Sequence, residues 1–120
     1  MMERKIVGDS ILFCVENKTV LTLKEYERDG SIVMQLSGEL RSDFVHDFQD
    51  ELIALATVGA AVIVDLKDLS YLSPTAQHAF LTVQRKMDSI QKGSLTLCNL
   101  SEAIYQEFES TGASELLMIE

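Results

Sequence analysis

Ser73-Pro74-Thr75 is the place in this chain where residue type and spacing could support chemistry. Ser73 reads as a helix N-cap, its hydroxyl accepting from a backbone amide. Pro74 suits the first helical position, because it has no N–H to waste and its φ is already helical. Amides at such a helix start lack partners, and the helix dipole there favours negative charge. Three uses are open: a hydroxyl could carry a phosphate, a partner's carboxylate could dock, or Ser73 could simply cap the helix.

Other residues offer less. His46 and His78 fall on polar helix faces, without a Cys, His or carboxylate at metal-ligand spacing on the same helix, and read as solvated. Asp65 and Asp68 follow an apolar run, a common position for acid–base residues, but carboxylates there more often cap loops or face water. Neither G-x-G-x-x-G nor a P-loop occurs, and G-x-S-x-G is missing. Cys14 and Cys98 lie in apolar runs and read as two buried, reduced thiols. No catalytic set, metal site or cofactor is expected.

The elements that must position Ser73 are legible around it. Ala60–Leu66 opens with an unbroken apolar run rich in β-branched residues, the pattern of a buried parallel strand. Lys67–Leu72 then reads as a loop. Helical spacing of Ala76, Ala79, Phe80, Val83, Met87 and Ile90 predicts a helix over 75–91. Upstream, Val20–Tyr26 and Ile32–Leu36 form a hairpin around Asp29-Gly30, and Gly38 permits a sharp exit. Ser42-Asp43 starts a helix whose stripe is Phe44, Val45, Phe48, Leu52, Leu55 and Ala56, stopped at Gly59. Ser94–Cys98 is a strand. Ser101-Glu102 starts a third helix with Ala103, Ile104 and Phe108 turned inward. Leu116–Ile119 is a last strand. From residue 42 onward strands alternate with helices, which predicts parallel pairing with right-handed crossovers. The opening hairpin makes the α/β sheet mixed, though mostly parallel.

The chain has 120 residues, which favours one domain. Nineteen acidic residues against ten basic give a net charge of -9, which opposes nucleic acid and anionic membrane as partners but suits a basic protein. No apolar run reaches the roughly 18 residues of a membrane span, and the N-terminus lacks a signal-peptide core. A cytoplasmic setting is the expectation.

Asp65-Leu-Lys-Asp-Leu-Ser-Tyr-Leu72, on a buried strand leading into a helix, resembles the STAS domain of anti-sigma-factor antagonists. Gly38-Glu39-Leu40 after a hairpin is similar to that family's G-x-L/I element, and the element order from Val20 to Ile119 resembles it too. The resemblance implies a non-catalytic switch module that binds a serine-kinase-like anti-sigma factor and is released when a hydroxyl at the helix start is phosphorylated. The family often reads Asp-Ser-Ser/Thr-Gly there; this chain reads Ser73-Pro74-Thr75-Ala76. Pro74 stands at the phosphoacceptor position, and Arg41 stands where a helping aspartate is frequent. The expectation is a binder without the usual serine switch, with Thr75 and Ser73 as the candidate phosphoacceptors.

The expected docking surface is Asp68, Ser70, Tyr71, Leu72, Ser73, Pro74, Thr75 and Gln77, with Tyr71 and Leu72 as exposed apolar contacts. The alternative is a small-ligand STAS module for a nucleotide or lipid. Residues 1–19 form an extension to the STAS domain of residues 20–120. Its first nine residues read as loosely held. Ile11–Val15 reads as an extra edge strand, a cover for apolar surface, or a means of pairing a homodimer.

Overall fold

The computed structural model describes residues 2–120; Met1, part of the extension, lies outside them. The chain runs β1 (Met2–Val7), β2 (Ser10–Val15), β3 (Lys18–Arg28), β4 (Ser31–Leu40), α1 (Ser42–Thr57), β5 (Ala61–Leu72), α2 (Pro74–Ile90), β6 (Ser94–Cys98), α3 (Glu102–Thr111), a 3₁₀ turn (Ala113–Glu115) and β7 (Met118–Ile119). The seven strands form one mixed sheet in the order of the sequence. β1 to β4 pair as an antiparallel meander, and β4 to β7 pair in parallel. The pairings thus divide evenly, because β1 and β2 add an antiparallel hairpin.

Two-residue turns tie the meander. Asp29-Gly30, read as a hairpin turn, has φ values of 52° and 83°, the primed geometry that matches strand twist. Residues 2–7, expected to be loose, are β1; in the hairpin they gain a backbone ladder that a sequence pattern of mixed charge does not advertise.

Because the strand order advances in one direction, the right-handed crossovers lay every helix on the same sheet face. That face carries Phe13, Leu21, Leu23, Met34, Leu36, Val62, Val64, Leu66, Leu95 and Leu97, all buried in one core. Aromatic rings clamp the helices to it. Phe13 of β2 meets Phe44 of α1 at 5.4 Å between ring centroids, Phe48 of α1 meets Phe80 of α2 edge-on at 5.2 Å, and Phe80 meets Phe108 of α3 at 6.1 Å. Removing one such ring should cost about 3–5 kcal/mol. A strand order without a reversal also has no switch-point crevice of the kind that holds nucleotides in doubly wound sheets.

Three local readings change. Residues Lys67–Leu72 are the second half of β5, not a loop. β5 slips register against β4 between Gln35 and Ser37 and again between Gly38 and Glu39, so it carries an extra residue at each place. Those bulges spoil the alternation, leaving Lys67 and Asp68 exposed in succession, then Ser70 and Tyr71. The Asp65 carboxylate braces the first bulge, accepting from the Lys67 amide at 3.0 Å and from Asn99 Nδ2 at 3.1 Å. Ala103 faces solvent, while Ile104 and Phe108 are buried as expected. Cys14 is buried, but Cys98 is half-buried. Their strands stand four places apart, about 19 Å, so no disulfide can join them.

Candidate functional site

The site is built where two parallel strands end side by side. Leu40 of β4 registers with Leu72 of β5, and the Ser73 amide donates to the Leu40 carbonyl at 3.0 Å. The starts of α1 and α2 are thereby held together. On the other side of β4, Gly38 permits a close approach to β3: its φ is +99°, and a Cβ there would collide with the Val20 carbonyl. Ser70, the extra residue of the second bulge, donates its hydroxyl to the Gly38 carbonyl at 2.9 Å.

Ser73 is the N-cap of α2, with Pro74 at the first helical position. Its Oγ accepts from the Ala76 amide at 3.2 Å and lies 3.1 Å from Thr75 Oγ1. Thr75 Oγ1 donates to Ser42 Oγ at 3.1 Å. A row of hydroxyls therefore bridges the two helix starts. Ser42 is not the cap of α1: that position is Arg41, whose side chain makes no capping bond. The Arg41 guanidinium reaches Glu39 at 3.4 Å, on the surface.

Exposure sorts the expected surface residues. Asp68, Ser70, Pro74 and Thr75 face solvent, and Tyr71 is 44% exposed. Leu72, read as an exposed contact, is only 2% exposed, because the second bulge turns Tyr71 out and Leu72 in. Ser73 is 1% exposed. Gln77 is 7% exposed and faces α3: its Nε2 donates to Glu107 Oε2 at 3.3 Å, and its Oε1 accepts from Thr111 Oγ1 at 3.2 Å. Its inward turn was not readable from helical spacing, since its partners lie on another helix. His78, read only as solvated, lines a groove of about 270 Å³ between α2 and α3 together with Pro74, Gln77, Leu81 and Thr111. A hollow of about 680 Å³ lies elsewhere, beside the end of β7, and receives none of the expected site residues.

Two titratable groups are displaced. Burial, with help from Asp65 and Glu120, raises the Cys98 thiol, which keeps it protonated and unreactive near neutrality. Burial and the neighbouring Glu51 raise the Glu25 carboxyl. Neither belongs to the two helix starts. Among the described residues no group of three or more His, Cys, Asp or Glu is placed to hold a metal ion. No helix among them is long and apolar enough to cross a membrane.

This fold recurs in known proteins. A family model described as the Mlab STAS domain matches residues 24–119. The anti-sigma-B factor antagonist of Bacillus subtilis is 34% identical over 93 residues, spanning 78% of this chain and 84% of that protein. The unphosphorylated structure of the anti-sigma factor antagonist SpoIIAA superposes with a TM-score of 0.68 at 19% identity, over 82% of this chain and 87% of that one. An anti-sigma factor antagonist from Mycobacterium paratuberculosis gives 0.69 at 16% identity, over 82% and 84%. The chain belongs to the STAS domain family. Within it, the chain is an STAS domain of the anti-sigma-factor-antagonist kind.

Proposed function

We propose that this chain is a non-catalytic regulator that docks a serine-kinase-like anti-sigma factor through the outer side of the β5–α2 junction, and that it lacks the usual serine switch. The docking surface consists of Asp68, Ser70, Tyr71, Pro74 and Thr75; Leu72, Ser73 and Gln77 support it from below. The carrying observation is the state of Ser73: 1% exposed, its hydroxyl already spent on the Ala76 amide and on Thr75. Pro74 has no hydroxyl to offer. Thr75 is then the one hydroxyl in the first turn of α2 that a kinase can reach, and its phosphorylation must first break the bond to Ser42. An added charge of about -1.5 to -2 in that turn would break the hydroxyl row and change the shape and charge that the partner meets. The net charge of -9 favours a partner with a basic docking face.

The test uses a purified kinase-type anti-sigma factor from the same organism. Titration calorimetry should show binding, weakened about tenfold or more by Tyr71→Ala, an exposed aromatic at the centre of the surface. Intact mass after incubation with ATP should show no added phosphate, or one that Thr75→Ala removes. Phosphate on Ser73, or binding indifferent to Tyr71→Ala, overturns the proposal. Calorimetry with GTP, ATP and fatty acids is the parallel test of the small-ligand alternative, for which the α2–α3 groove and the hollow beside β7 offer space.

A further inference from the structure

β1 is the first strand of the sheet, and among the described residues no strand pairs with its outer edge. We propose that this edge pairs antiparallel with the same edge of a second copy, in one register, to join two sheets into one. The inference is independent of the docking function proposed above.

The register follows from the hairpin. β1 and β2 pair without a slip from Met2↔Val15 to Val7↔Ser10, around the two-residue turn Gly8-Asp9. In such a hairpin the residues flanking the turn exchange both backbone hydrogen bonds, and bonded pairs then alternate. Val7, Lys5 and Glu3 therefore bond to β2, and the N–H and C=O groups of Ile6, Arg4 and residue 2 point outward. Arg4 lies on the helix-covered face, where its guanidinium meets Glu51 of α1 at 2.8 Å. Alternation puts Glu3 and Lys5 on the open face.

An antiparallel pair of identical strands must place a two-fold axis at one residue and match outward groups with outward groups. Centring on Lys5 sets Lys5 against Lys5, two like charges directly opposed on the open face. Centring on Ile6 leaves few residues paired. Centring on Arg4 sets Glu3 against the second copy's Lys5, and Lys5 against its Glu3, giving two opposite-charge cross-strand pairs. The two Arg4 side chains at the axis are each drawn back to Glu51 of their own chain. Ile6, 72% exposed in the single chain, then lies opposite residue 2 of the second copy, within the joined sheet. The strand has neither a proline nor a bulge to blunt its edge, and its charges are arranged to fit a copy of themselves.

An edge-to-edge contact buries little area, so the dimer is weak and dissociates on dilution. Sedimentation velocity over a concentration series should detect it. Lys5→Glu should weaken it about tenfold or more, since both attractive pairs become repulsive. Glu3→Lys should do the same, and the double exchange Glu3→Lys/Lys5→Glu should restore it. Ile6→Pro deletes an outward N–H without touching the bonds to β2, and should leave a folded monomer. A protein monomeric throughout the series, a dimer indifferent to Lys5→Glu, or single changes that the double exchange fails to rescue would each overturn the proposal.

Discussion

The two strand-to-helix junctions lie side by side and solve the same problem differently. Where β5 meets α2, a serine caps the helix, a proline starts it, and the strand before it bulges twice. Where β4 meets α1, the cap position is an arginine with no capping bond, and the nearby serine lends its oxygen to the other helix through Thr75. The β5–α2 junction is locked by its own residues; the β4–α1 junction is held by its neighbour and by the close approach of Gly38 to β3. A recognition surface needs a fixed frame, and the comparison says that the frame is set from the α2 side.

The largest test of this asymmetry is Gly38→Ala. It forces a side chain into a backbone conformation at φ +99° and against the Val20 carbonyl, so urea melts should show a loss of about 3 kcal/mol. A near-neutral result would mean that the β4 end does not need its tight approach to β3. Next come the two serines. Ser73→Ala should cost about 1–2 kcal/mol, as a lost N-cap does, whereas Ser42→Ala should stay within about 0.5 kcal/mol. Equal losses would erase the distinction between the junctions. The smallest effect is a gain. Arg41 already has cap geometry, φ -84° and ψ 161°, so Arg41→Ser should stabilise the protein by about 0.5–1 kcal/mol. The surface contact it removes, to Glu39 at 3.4 Å, is worth little.

The same contrast marks what was legible in the residues. The Ser73-Pro74 helix start could be read from two residues, because cap and proline act within one turn and need no distant partner. The alternation of strand and helix after residue 42 was readable from periodicity for the same reason. The second half of β5 was not. Its bulges exist only relative to β4, and a strand that pairs with an extra residue looks in sequence like a polar loop. Leu72 and Gln77 were read as surface residues and are buried, because a bulge decides the one and α3 the other. Ser42 looked like a cap and is not one: it is the first helical residue, Arg41 holds the cap position, and Thr75, thirty-three positions away, donates to the Ser42 hydroxyl. β1 was hidden for a different reason: a charged edge strand on an open rim has no apolar pattern to show.

The hydroxyl row has a direction. An amide can only give a proton, so the Ala76 N–H fills a lone pair of Ser73, and Ser73 must pass its own hydrogen to Thr75, which already gives its hydrogen to Ser42. The uncommitted donor is thus shifted outward to Ser42, which is exposed. A partner landing on this tip therefore meets a hydroxyl that can donate to its carbonyl or carboxylate and, through the second lone pair, accept from its ammonium.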